Sequence, residues 1–141
     1  MKQLRTNSRG VATVEAAMTL LLFITLIFAI VEAGRFLNVQ QVLTNAAREG
    51  ARLSIAPLSG TSSLASVAEI EARVQSFLDS AAIQGAQISV VRPVYVATTI
   101  VQGEFTRVEV SLPYRVMTLP LFSALEITLQ GKALMRNETS P

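Results

Sequence analysis

The chain has 141 residues, 50% of them hydrophobic, and a formal net charge of +2 that is unevenly distributed. Lys2, Arg5 and Arg9 precede the first apolar run, and the rest of the chain carries 9 basic and 10 acidic side chains, which excludes a general basic surface for nucleic acid. The absence of cysteine and histidine excludes disulfides, thiol nucleophiles, histidine bases and zinc sites built on those residues.

Residues 11–31 predict a single membrane span. These 21 residues hold one charge, that of Glu15, and as a helix they would be about 31 Å long, which matches a bilayer core of roughly 30 Å. The basic residues 1–10 lack any acid and favour a cytoplasmic N terminus, with residues 32–141 on the outer side. We therefore expect a single-pass protein of the inner (cytoplasmic) membrane that contacts membrane lipid.

Three interpretations fit the N-terminal end. The first is an uncleaved signal anchor, and the second is a secretory signal peptide cut after Val31–Ala33, where small residues stand at suitable offsets. The third is a cut between Gly10 and Val11 that removes residues 1–10 as a leader. The new ammonium of Val11 would then lie about one helical turn from Glu15 and could neutralise a carboxylate that is costly within a span. The alternative for Glu15 is snorkelling to the head groups.

Residues 32–55 are predicted to continue the helix as a stalk. Apolar and small residues recur there at positions i, i+3, i+4 and i+7, and no proline interrupts them. Ala46, Ala47, Gly50 and Ala51 form a seam of small residues, which favours close approach of another element. We expect that element to be a sheet of the same domain.

The remaining residues predict a second helix and a small antiparallel sheet. Helical spacing of apolar residues covers residues 64–82, with Ser62 or Ser63 as the expected N-cap. Three β patterns follow within residues 87–136. The fold class is therefore α+β, with residues 32–141 forming one domain outside the membrane.

Details of the strands can also be predicted. Pro93 indicates an edge strand or a bulge, and Pro113 is expected to end the second strand, because proline lacks the backbone N–H. Alternation predicts two sets of inward-facing residues, which are Val108, Val110 and Leu112 on the second strand and Ile127, Leu129 and Ala133 on the third.

Three segments together resemble those of a known family. They are Arg9-Gly10 followed by Val14-Glu15-Ala16, the run Asn45-Ala46-Ala47-Arg48-Glu49-Gly50-Ala51-Arg52, and Lys132-Ala133-Leu134-Met135-Arg136. In these the chain is similar to the TadE-like minor pilins, or pseudopilins, of tight-adherence (Tad/Flp) type IV pilus systems. The resemblance implies a type IV pilin-like fold, cleavage after Gly10 by a membrane prepilin peptidase, and a role for Glu15 in assembly.

The function implied by this resemblance is a part in assembling a Tad-type (type IVc) pilus used in adhesion. Its expected partners are the prepilin peptidase, other pilins of the same system and the inner-membrane assembly platform, and the mature protein would end on the pilus or the cell surface. The segment 45–52 would pack the stalk helix on its domain or contact partner pilins. The alternative function is an uncleaved single-pass membrane-anchored binding protein.

Catalysis is not expected. A serine–lysine pair would have to use Lys2 or Lys132, neither of which stands in a recognisable motif. Glu69, Glu71 and Glu126 do not have the spacing of a metal-ligand set, and the isolated glycines form no phosphate-binding loop. We therefore predict no enzyme activity, no metal and no cofactor.

Overall fold

The computed structural model describes residues 8–55, 64–95, 104–116 and 125–136 of the chain. They form two helices and three strands, in the order α1 (Ser8–Ile55), α2 (Val67–Ser80), β1 (Gln87–Tyr95), β2 (Glu104–Arg115) and β3 (Glu126–Arg136). The strands make one antiparallel sheet in the order β1-β2-β3. The predicted α+β, pilin-like layout of a long N-terminal helix, a second helix and a three-stranded sheet is confirmed.

The chain divides into two compact units, Met1–Phe36 and Leu37–Pro141, which we call the N-terminal and C-terminal units. The described part of the N-terminal unit is the first portion of α1. Its apolar side chains are exposed, as with Leu22 at 69%. By length and composition the helix is able to cross a membrane, and none of its most apolar stretch is buried within the protein. This long apolar helix suggests a membrane anchor.

The C-terminal unit has a core between its two helices and its sheet. The second portion of α1 contributes small residues, whereas α2 contributes larger ones at helical spacing and β2 contributes alternate residues of one face. The fully buried members are Leu43, Ala46, Ala47, Ala51, Ile70, Val74, Leu78, Val108 and Val110. Burying a side chain the size of Leu or Ile stabilises a fold by roughly 1.5–3 kcal/mol, so these residues account for the packing of the unit.

Two glycines allow α1 to lie against its neighbours. A Cβ atom on Gly131 of β3 would collide with the backbone carbonyl of Leu43 and lie 2.6 Å from the backbone nitrogen of Thr44. A Cβ atom on Gly50 would collide with Val74 of α2 and lie 3.3 Å from Val108 of β2. The expected close approach at the seam of small residues is therefore confirmed, and α1 contacts both the sheet and α2.

The two prolines of the sheet behave differently. Pro93 lies in the edge strand β1, where the register shifts between Val91 and Val94, as predicted. The expectation that Pro113 ends the second strand is wrong, because β2 continues to Arg115 and Pro113 pairs with Thr128 of β3. Pairing with β1 reaches only as far as Ser111, so within the described residues no strand pairs with that side of β2 at Pro113, and its missing N–H costs no ladder bond there.

The second helix is shorter than predicted. It begins at Val67 because Ser66 is its N-cap, so the assignment of the cap to Ser62 or Ser63, which lie outside the described residues, is wrong. Ser66 and Glu69 form a capping box, in which the Ser66 N–H donates to Glu69 Oε2 at 2.7 Å. The helix ends at Ser80 because Ala82 takes up a left-handed conformation with a φ of 56°.

The faces of β2 and β3 that point towards the core were predicted correctly. Val108, Val110 and Leu112 are buried on one face of β2, and Leu129 is buried on β3. Ile127 lies on the same face of β3, at the second position of the strand, and is 38% exposed. Ala133 is half-buried. Residues 1–7 of the predicted leader lie outside the described residues.

We expect Gly131→Ala to destabilise the C-terminal unit, because the added methyl group would press on helix backbone rather than on a side chain that can rotate away. The loss in the free energy of unfolding should be about 1–3 kcal/mol, and the thermal midpoint should fall by roughly 4 °C or more. Circular dichroism of the full chain in detergent measures this. Gly34→Ala is the control, since a Cβ atom there meets nothing within 4 Å. Equal midpoints for the two variants would contradict the close approach.

Candidate functional site

The residues of the predicted cleavage site lie in the first turns of α1. The helix begins at Ser8, so Gly10 and Val11 are both helical, and both are exposed. A Cβ atom on Gly10 would meet nothing within 4 Å, so glycine is not required there by packing within the described chain. Cleavage after Gly10 stays a prediction.

Glu15 lies one turn beyond Val11 on the exposed surface of α1. Its backbone carbonyl accepts a hydrogen bond from the Thr19 hydroxyl at 2.9 Å. Its carboxylate has no hydrogen bond or ion pair with any residue of the described ranges. A carboxylate surrounded by apolar side chains costs free energy in a membrane unless a cation pairs with it. The role of Glu15 in assembly remains a prediction.

The segment 45–52 divides into two faces of α1. The side chains of Ala46, Ala47 and Ala51 are fully buried, and Gly50 is buried with them. The polar members Asn45, Arg48 and Arg52 are exposed, and Glu49 is at the boundary between the two faces. Packing of the stalk therefore accounts for the small residues of this segment, and it does not account for the polar ones.

Glu49 connects the two helices of the C-terminal unit. Its Oε1 accepts from Arg73 Nη2 at 2.8 Å and from Arg73 Nε at 3.2 Å, and its Oε2 lies 3.3 Å from Arg52 Nε. The hydrogen bonds from Arg73 are the main cause that holds the pKa of Glu49 below its usual value near 4.5, with a smaller contribution from Arg52. Partial burial opposes this shift.

Arg92 was not singled out from the sequence, although it binds α1, β2 and the segment before α2 at once. Its Nη2 donates to the backbone carbonyl of Ser54 at 2.6 Å, its Nη1 to that of Ala65 at 3.0 Å, and its Nε to the buried Thr106 hydroxyl at 3.0 Å. Ser54 carries one of the last carbonyls of α1, which have no partner within the helix. A cation at a helix C terminus is also favoured by the helix dipole. We call this arrangement the Arg92 clamp.

The sequence held only a weak sign of the Arg92 clamp. An arginine directly before Pro93 in an edge strand would ordinarily be a solvated residue, and nothing local shows that its acceptors lie 27 and 38 positions away. Within the described residues, no buried side-chain nitrogen or oxygen lacks a hydrogen bond. The same residues contain no group of three or more acidic side chains that could hold a metal ion.

Comparison with protein families gives a match that lies within α1. Residues 10–52 match the family model described as TadE-like protein. The matched range takes in Gly10, Glu15 and the whole of the segment 45–52, and it lies within one unbroken helix. Comparison with curated proteins and with solved structures gave no match.

The ion pairs of Glu49 should make stability depend on pH. A pKa lowered in the folded state stabilises the fold above the unfolded pKa near 4.5, and this stabilisation is lost as the pH falls through the folded pKa. We expect Glu49→Gln to lower the free energy of unfolding by about 0.2–1 kcal/mol at pH 7, since both arginines are largely exposed, and by less at pH 3. Denaturation of the full chain in detergent at both pH values measures this.

Glu71→Gln is the control, because Glu71 has no ion pair within the described ranges. A loss of stability in Glu49→Gln that is the same at both pH values would show that the lost charge is not the cause.

The Arg92 clamp predicts a larger loss of stability when Arg92 is replaced. Arg92→Met would keep much of the side-chain volume but leave three acceptors without their donor, and we expect the free energy of unfolding to fall by about 2–4 kcal/mol. Arg107→Met, at an exposed position of β2 without a hydrogen bond or ion pair in the described chain, should cost under about 0.5 kcal/mol. Thermal denaturation compares the two variants. Similar midpoints would mean that the clamp contributes little.

Proposed function

We propose that the protein is a minor pilin or pseudopilin, because residues 10–52 match the family model described as TadE-like protein, a family associated with Tad pilus systems. In this role it takes part in assembling a Tad-type (type IVc) pilus used in adhesion. Its partners are the prepilin peptidase, other pilins of the same system and the inner-membrane assembly platform. It needs no metal, cofactor or catalytic activity of its own.

One observation carries this proposal. The family match joins the exposed apolar stretch that begins at Gly10 to the segment 45–52, whose small residues pack inside the C-terminal unit. An anchor that only tethers a domain needs apolar residues, and packing of that domain explains the small residues of the segment, but neither explains its exposed polar residues. A match that covers both parts of α1 supports a subunit in which anchor and domain helix act as one element.

The assembly step follows from the chemistry of the span. In the membrane, residues 11–31 are stored among lipid tails, and in a filament they pack on the helices of other subunits. Lipid tails are about as apolar as Leu, so the exchange of contacts supplies little net free energy. Work from the assembly platform drives the step, and the pairing of Glu15 with an ammonium on Val11 fixes the register between neighbouring helices.

Sequencing the N terminus of the mature protein separates the proposed function from its alternatives. A start at Val11 is the expected result, with the leader 1–10 removed by the peptidase in the membrane. A start at Met1 would favour the uncleaved single-pass membrane-anchored binding protein. A start at Gly34 would identify a secreted product that has lost its anchor, and it would overturn the assignment to the inner membrane.

Glu15→Gln should leave insertion into the membrane intact but impair assembly, because the amide keeps the shape of the side chain without its charge. We expect the amount of protein in the membrane fraction to stay unchanged and pilus-associated adhesion to fall at least about tenfold, which corresponds to the loss of one ion pair of roughly 1.4 kcal/mol in apolar surroundings. Glu32→Gln is the matched control. Its carboxylate pairs with Arg35 at 2.9 Å, beyond the predicted span. Normal adhesion in Glu15→Gln would remove the register hypothesis.

A further inference from the structure

Three arginines lie on one side of the C-terminal unit, beside the carboxylates of Glu49 and Glu69. Arg52 and Arg73 contact Glu49 while remaining 73% and 54% exposed. Arg48, one turn from Arg52 on the exposed face of α1, has no hydrogen bond or ion pair within the described ranges. We call Arg48, Arg52 and Arg73 the arginine patch. Glu69 lies one turn before Arg73 at i,i+4 spacing on α2, so three guanidinium groups stand beside two carboxylates and the patch carries an excess of one positive charge.

Stability of the fold does not explain this patch. Exposed ion pairs contribute only about 0.2–1 kcal/mol, and the like charges of Arg48 and Arg52 at i,i+4 spacing oppose each other. One arginine would be sufficient to pair with Glu49. The additional charge is therefore available to a partner that carries carboxylates.

The opposite flank of α2 provides carboxylates. Glu71 and Arg73 are two positions apart on the helix, so their side chains leave it on different sides. Glu71 lies beside a groove between α2 and β1 that is also lined by Ala72, Gln75 and Ile88. Asp79 is exposed on the same flank and accepts a hydrogen bond from Gln75 at 2.8 Å. Glu71 has no partner within the described residues. We call Glu71 and Asp79 the acidic flank.

We propose that the arginine patch of one copy of this chain docks on the acidic flank of a second copy. The two surfaces have opposite excess charges and lie on opposite sides of α2, so one chain presents both. A contact between two different surfaces is heterologous, and it leaves one patch and one flank unoccupied at the ends of each assembly. Further copies can then add in the same direction, which suits a subunit of a filament.

The contact gives direction and specificity rather than high affinity, because exposed charges act mainly on orientation and on the rate of encounter. It is also weakened by salt. The proposal deepens the proposed assembly role and rests on it. Its test uses membranes that contain the full chain and needs neither cleavage nor a finished pilus, so failure of this contact and failure of the pilin assignment are distinguishable.

Crosslinking tests the contact directly, because the natural chain has no cysteine. Asn45→Cys places a thiol beside the arginine patch, and Ala72→Cys places one beside the acidic flank, both at exposed positions. The two variants are produced together in one membrane and oxidised mildly. The expected product is a disulfide between one Asn45→Cys copy and one Ala72→Cys copy. Either variant alone should give little dimer, and Thr128→Cys on β3 serves as an exposed control.

Charge reversal then separates a specific contact from chance collisions. Arg48→Glu with Arg52→Glu in the Asn45→Cys copy should reduce the mixed dimer about tenfold. Glu71→Arg with Asp79→Arg in the Ala72→Cys copy should restore it, and this rescue also shows that the reversed chains are folded.

Three outcomes would overturn the proposal. They are mixed dimers that are insensitive to charge reversal, dimers formed by Asn45→Cys alone, and crosslinks from Asn45→Cys to a different acidic protein without any mixed dimer.

Discussion

α1 lies closest to its neighbours at positions where a glycine carries no side chain. These glycines set the distances between the elements of the C-terminal unit. Gly131 allows β3 to rest on the backbone of Leu43 and Thr44, and Gly50 allows Val74 of α2 to reach the helix. Between these two points the buried face of α1 carries mainly alanine. Larger residues would hold the sheet and α2 away from the helix and open cavities, so the small residues act together to define one packing distance.

Polar contacts then fix how the elements are joined. The Arg92 clamp ties the end of α1 and the residue before Ser66 to the sheet through acceptors that carry no charge. Glu49 ties α1 to α2 through ion pairs at the surface. The two ties differ in chemistry, because a guanidinium keeps its charge at every pH that a protein meets, whereas a carboxylate loses its charge in acid. The Arg92 clamp therefore persists when the pH changes, whereas the ion pairs of Glu49 are lost in acid.

Periodicity was sufficient to predict the elements, because the residue spacing typical of a helix or of an alternating strand can be recognised within a short stretch of sequence. The long helix, the seam of small residues, the edge position of Pro93 and the buried face of β2 were all predicted correctly. One error concerns a local signal that was missed, and the other concerns a choice that depends on a neighbouring strand. Ser66 became the cap because Glu69 completes its capping box, and Pro113 was tolerated because β1 stops before it. Arg92 could not have been found locally, since its acceptors belong to other elements.

The contacts between α1 and β3 connect the beginning of the C-terminal unit to its last described strand. Gln40 Nε2 donates to the backbone carbonyl of Gln130 at 2.8 Å, across 90 positions of the chain. Because ribosomes make the N terminus first, Leu43 and Thr44 of α1 are made well before the strand that covers their backbone. Closing so long a loop is slow, because the chain loses entropy before the contacts that stabilise the closed loop are formed. The backbone of α1 at Leu43 and Thr44 must therefore wait for its cover, and a chain truncated before Glu126 would lack the strand that supplies it.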